Sequence, residues 1–159
     1  MQKPIKLDKI DRRILETLQL NNQISNIKLA EIACISPPSC LRRVRRLRNN
    51  GVIVGDVSLV DPKALGRPTT IIVEVILESE RIDLVDEFRR QMLSLPEVSQ
   101  CYAVAGESDF IVILNVNDVV EYQNFIDRVF YANKNIRKFR SIVSIECFKF
   151  QTRIPISVG

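Results

Sequence analysis

Apolar positions recur at helical spacing three times in the first fifty residues, and the pattern then changes to that of strands. Ile10, Ile14, Leu15 and Leu18 share one face of a first helix, with Asp8 as its cap and Leu7 just before it. Asn21-Asn22-Gln23 interrupts the run, and Ser25 is placed to cap a short second helix carrying Ile27, Leu29, Ile32 and Ala33. Ser36-Pro37 starts a third, because proline at the first helical position gives up an N–H that has no partner there. That helix runs to Asn49-Asn50, where Gly51 can take the left-handed backbone that ends it. Beyond it, Val57–Val60 reads as a strand and 61–68 as a connection. Strands are predicted at 69–77 (TTIIVEVIL), Val98–Ala105, Phe110–Val116 and Ile142–Phe150. Helices are predicted at 82–94, with Leu84, Val85, Phe88 and Met92 on one face, and at 118–133.

Two helices separated by a tight turn and followed by a short strand fit a winged helix-turn-helix, with the motif itself over about residues 25–44. The later order, β-α-β-β-α-β, is that of a ferredoxin-like sandwich. The expected class is therefore α+β. Residues 1–55 form the first domain, 56–68 a wing strand and linker, and 69–159 the second domain.

The third helix carries the chemistry. At about 100° per residue, Cys40, Leu41, Val44 and Leu47 gather on one side as a docking stripe. Ser39, Arg42, Arg43, Arg46 and Asn49 gather on the other, with Arg45 towards its edge and Arg48 nearer the stripe. Guanidinium groups fork onto guanine O6/N7 or onto phosphate oxygens, and no acidic residue stands among the five arginines of RRVRRLR at 42–48 to neutralise them. The alternative is a solvated basic face. The helix-turn-helix setting favours duplex DNA, with Ser25, Ser36 and Pro38 at the helix starts joining the ridge as candidate contacts.

Charge distribution supports this division. Residues 1–60 carry 11 Lys/Arg against 5 Asp/Glu, and residues 61–159 carry 12 against 14. A basic piece thus precedes a mildly acidic one, as in a polyanion binder joined to something else. The absence of histidine removes a Ser-His-Asp triad, a Cys-His pair and an HExxH zinc site. No apolar run of 18 residues suggests a membrane span, and the charged N-terminus has no signal-peptide core, so a cytoplasmic location is expected. Cys34, Cys40, Cys101 and Cys147 form no CxxC pair and each reads as small apolar filler. In the second domain, Glu107 and Asp109 flank a Gly106-Glu107-Ser108-Asp109 turn. Two carboxylates there could act as acid and base, but nothing nucleophilic or phosphate-cradling accompanies them, and the plain reading is turn chemistry. Neither an enzyme nor a resident cofactor or metal is expected.

LDKIDRRILETLQLNNQIS, LAEIACISPPSCLRRVRRLRNNGVIVG, VDPKALG and VAGESDFIVILNV together resemble the Lrp/AsnC family, the feast/famine transcriptional regulators of bacteria and archaea. SPPSCLRRVRRL looks closest to the leucine-responsive subgroup. The resemblance implies a regulator that dimerises through its second domain and assembles into tetramers, octamers or larger discs on the nucleoid. It also implies a small effector, usually an amino acid (leucine is one candidate), bound in clefts between effector domains. Carried over, the Gly-acidic-x-Asp turn places Gly106, Glu107, Ser108 and Asp109 at that cleft, with Tyr102 and Val104 on the strand entering it and Ser141, Ile142 and Val143 on the last strand. Gln23 departs from the arginine that many relatives carry, which removes one phosphate contact. A nucleoid-organising protein of low sequence specificity shares all these parts. A tetrapyrrole decarboxylase of similar architecture relies on histidine, which this chain lacks.

Overall fold

The computed structural model describes residues 5–156. They fall into two compact units, one made of residues up to Ser58 together with those from Lys149 onward, the other of Leu59–Phe148.

The first unit holds α1 (Lys9–Leu20), α2 (Asn26–Ala33) and α3 (Pro37–Asn49). Local chemistry sets each boundary. Asp8 caps α1 by accepting from the Asp11 N–H at 2.8 Å, and the Asp11 carboxylate accepts back from the Asp8 N–H at 3.2 Å. Ser25 caps α2 by accepting from the Lys28 N–H. Gly51, at φ 68°, ends α3 as expected, with the Val52 N–H reaching the Leu47 carbonyl and the Gly51 N–H that of Arg48. The same paired termination ends α2, but there Cys34 occupies the left-handed position at φ 55°. Ile14, Leu15, Leu29, Ala30, Ala33, Cys40, Val44 and Leu47 make the core. Ile27 and Ile32 were expected on the buried face of α2 and are exposed instead, because the eight-residue helix buries Leu29, Ala30 and Ala33.

The second unit is a four-stranded antiparallel sheet of order β2-β3-β1-β4, with β1 Thr69–Leu77, β2 Val98–Ala103, β3 Phe110–Val116 and β4 Ile136–Val143. Helices α4 (Ile82–Ser94) and α5 (Val119–Phe125) cover one face, and a single π-turn at Ile126–Phe130 continues α5. This is the predicted ferredoxin-like sandwich. Its core joins Ile71, Val73 and Val75 of β1 and Val112 and Leu114 of β3 to Phe88, Phe125 and Phe130 from the helices. Along β1 and β3 every second residue is buried, so Ile72, Glu74, Ile111 and Ile113 line the other, uncovered face.

Several expectations are corrected. The last strand was expected at Ile142–Phe150 and lies at Ile136–Val143. Its pairing with β1 runs out at Ile71↔Val143, with Ser144 making a final bond to the Thr70 carbonyl, so the chain beyond has no neighbour to pair with. Strand β2 ends at Ala103 rather than residue 105, and the second helix reaches 130, not 133. Val57–Val60 forms no ladder among the described residues, since no strand of this chain lies beside it. The second domain was expected to run to residue 159, yet residues from Lys149 belong with the first unit. There Gln19 brackets the Ile154 backbone through both amide atoms (3.0 and 2.7 Å), Arg153 meets Glu16 at 3.0 Å, and Ile156 packs on the helical core. Of the cysteines, Cys40 alone is buried among the described residues.

A side chain in the left-handed region costs about 1 kcal/mol that glycine does not incur. Cys34→Gly should therefore raise the urea midpoint, by up to about 1 kcal/mol of stability. An unchanged or lowered midpoint would show that Cys34 adopts this backbone without strain.

Candidate functional site

Helix α3 begins in an unusual way. Ser36 is its N-cap and Pro37 and Pro38 fill the first two helical positions; the Ser36 hydroxyl caps no backbone N–H and donates to the Ser39 hydroxyl at 3.0 Å. Asn26, which sequence reasoning passed over, donates to the Pro37 carbonyl at 2.9 Å and ties the start of α2 to the start of α3. Cys40, Val44 and Leu47 point into the core. Leu41 was expected with them and is 41% exposed.

The arginines divide into two sets. Arg43 bonds both Asp8 (2.7 Å) and Asp11 (2.8 Å), and Arg46 makes a short pair with the other oxygen of Asp11. Arg48 pairs with Asp56 at 2.7 Å. Arg42 and Arg45 have no partner among the described residues. Within α3 no acidic residue meets these arginines, as the sequence implies, but carboxylates from outside the helix neutralise Arg43, Arg46 and Arg48. Counting along one helix could not find carboxylates that approach from α1 or from beyond Gly51. Arg45, expected at the edge, joins Arg42, Pro38, Leu41 and Asn49 along a shallow outward groove of about 590 Å³. Ser39 is half-buried, whereas Ser25, Ser36, Pro38 and Asn49 are exposed.

Asp11 is fully buried, and its two guanidinium partners keep 24% and 43% of their side chains exposed. A buried carboxylate must be paired, and here it is paired twice. The Asp11 N–H and then the Arg43 guanidinium hold the Asp8 carboxyl below its ordinary value, while Asp8 and Asp11 together raise that of Arg43.

In the second unit the Gly106–Asp109 turn is bolted to β1. The Asp109 N–H donates to the Val75 carbonyl (2.9 Å), and its carboxylate accepts from the Leu77 N–H (2.7 Å) at the place where the β1–β4 register shifts. One oxygen of Asp109 is therefore committed to the fold. Glu107 is exposed and lies near enough to Arg140 to favour its charged form, although Glu74 on the uncovered sheet face holds Arg140 at 2.7 Å. Tyr102 lies on that same face and donates to Gln100 at 2.6 Å. Val104 and Gly106 are exposed and Ser108 is half-buried. The side chains of Ser141, Ile142 and Val143 do not share one face. Ser141 pairs with the Tyr122 hydroxyl on the helix-covered side, Val143 shares its parity, and only Ile142 joins Tyr102 on the uncovered face.

Residues 7–54 match the winged helix-turn-helix DNA-binding family, and residues 70–154 match the Lrp/AsnC ligand binding domain. The chain belongs to the Lrp/AsnC family. An HTH-type transcriptional regulator of Sinorhizobium fredii is 42% identical, over 97% of this chain and 91% of its own length. The leucine-responsive regulatory protein of Haemophilus influenzae is 36% identical, over 88% of this chain and 84% of its own. A crystal structure of a Neisseria meningitidis transcriptional regulator in complex with L-Met superposes with a TM-score of 0.89 at 26% identity, covering 94% and 97% of the two chains. The unit built on α3 is thus the DNA-binding half of an Lrp/AsnC regulator, and the sheet domain is its ligand-binding half.

Asp11→Asn should cost about 2 kcal/mol in chemical denaturation, below the usual range for a broken buried pair because both arginines can turn to water. Asp8→Asn keeps the helix cap and isolates the charge. Its deficit relative to wild type should be full above the ordinary carboxyl value of 3.8, where wild-type Asp8 is ionised in both states. As pH falls through the lower folded value, the deficit should vanish. A deficit independent of pH would show that the Asp8 charge contributes nothing.

Proposed function

We propose that this chain is a sequence-specific DNA-binding transcriptional regulator whose DNA binding or assembly responds to an amino-acid effector. The observation that carries the DNA half is the pair of guanidiniums, Arg42 and Arg45, that have no partner among the described residues, on the outward face of α3 in a helix-turn-helix. Two such cations one helical turn apart repel each other until phosphates or guanine edges meet them. Arg43 and Arg46, already neutralised from α1, act mainly by holding the helix at its angle. The effector half rests on the ligand-binding match and on the methionine-bound structure of a relative. Glu107 is the group suited to an effector ammonium, with Tyr102 beside the same sheet face.

Assembly follows from the uncovered sheet face. Ile72, Ile111, Ile113 and Ile142 line it around the Glu74–Arg140 pair, which suits burial against a second copy. A dimer so formed presents two α3 helices to half-sites about 34 Å apart, and tetramers or octamers build from such dimers. An effector shifts these arrangements only as far as its affinities for them differ. We read the chain as a non-enzymatic protein of the cytoplasm and nucleoid that needs no metal or cofactor. Among the described residues no helix is long and apolar enough to cross a membrane.

Fluorescence anisotropy across a salt series tests the DNA reading. Arg42→Ala with Arg45→Ala should weaken binding and lower the salt slope by roughly two, at about 0.9 per phosphate neutralised. An unaltered slope would remove both residues from the interface. For the effector, a thermal-shift screen of the twenty amino acids should give at least one stabilising ligand, and Glu107→Gln should abolish its shift. A shift surviving that substitution would place the ammonium elsewhere.

A further inference from the structure

We propose that Leu41 is a specificity residue that reads the 5-methyl group of thymine in the major groove, an inference that rests on the DNA-binding reading of α3. Leu41 is 41% exposed in the midst of the most cationic surface of its unit, and it adds nothing to the helical core. Scattered exposed leucines are ordinary on protein surfaces. The position of this one is what distinguishes it. Leu41 stands three residues after Pro38 and four before Arg45, so the three side chains form one stripe along the outward face of α3, with Arg42 alongside. The stripe lines the shallow groove described above, where Arg42 and Arg45 are unpartnered among the described residues and Arg46 is paired with Asp11.

Charge complementarity specifies the occupant. A groove lined by Arg46 and by Arg42 and Arg45, which have no partner among the described residues, attracts a polyanion, and a leucine among them gains only if that polyanion offers something apolar. Phosphates and sugar edges do not. In the major groove of duplex DNA the one apolar group on a base edge is the thymine methyl. Leu41 also lies in the N-terminal half of α3, the part of a recognition helix that reaches base edges, while longer arginine side chains extend to the phosphates. The geometry therefore separates two tasks on one helix. Arg42 and Arg45 supply attraction and register, and Leu41 distinguishes thymine from bases that carry no methyl.

The test uses the full chain and a duplex selected by wild type from a random pool, with each thymine replaced in turn by deoxyuridine. That change removes one methyl group and leaves every hydrogen-bonding edge intact. Wild type should lose about fourfold in affinity at one thymine per half-site, the effect of one buried methyl, and little elsewhere. Leu41→Ala, at an exposed position where alanine favours the helix, should bind the thymine and uracil duplexes equally. Leu41→Met should restore the difference. A wild-type scan that is flat while binding remains salt-dependent would overturn the proposal and leave the DNA-binding reading standing. Uracil sensitivity retained by Leu41→Ala would overturn it too. Failure to select any duplex would overturn the sequence-specific reading and this proposal with it.

Discussion

One buried carboxylate determines how the first unit can meet DNA. Asp11 is fully buried on α1, and its two oxygens take Arg43 and Arg46 from α3. The apolar stripe of Cys40, Val44 and Leu47 brings α3 onto the other helices, but greasy contacts tolerate some rotation of a helix about its own axis. A charge removed from water does not, because it must be met by donors at fixed distances. Pinning Arg43 and Arg46 towards α1 turns Arg42, Arg45 and Leu41 away from the protein. The same carboxylate completes the capping of α1 through the Asp8 N–H, so helix start and helix rotation are set at one point.

The second unit solves a different problem, holding the Gly106–Asp109 turn on a sheet that is buried on only one side. Strict alternation along β1 and β3 gives a helix-covered face of Val, Ile and Leu and an open face that mixes isoleucines with Glu74 and Asn115. The Gly106–Asp109 turn joins β2 to β3 at the end of this sheet and is fastened by Asp109 to the backbone of β1. That fastening leaves Glu107 projecting and exposed on a rigid base.

Much of this was legible in the residues. Asp8, Ser25 and Gly51 mark helix ends at the positions observed, because capping is decided by atoms within a few residues. The bounds of β1, α4 and β3 agree with the apolar pattern, whose period is a local property. The candidate effector residues were less legible. Ser141, Ile142 and Val143 are adjacent in sequence yet alternate between the two faces of the sheet, so their side chains point to different sides. Nor could periodicity reveal that Asp109 is occupied by Leu77, since that contact depends on a register shift across two strands.

By itself the chain's order of residues determined which segments form helices and strands, and that a basic helix precedes a sandwich of β-α-β-β-α-β order. These depend on propensity, capping and amphipathic spacing, which act over a turn or two. Tertiary structure alone decided where β4 stops, that residues from Lys149 join the helical unit, and which guanidiniums of α3 are left without a partner among the described residues. Most of these depend on a partner tens of residues away or more. Asp11 lies 32 residues before Arg43 and Glu16 lies 137 before Arg153, and only the folded chain brings such charges within reach of one another.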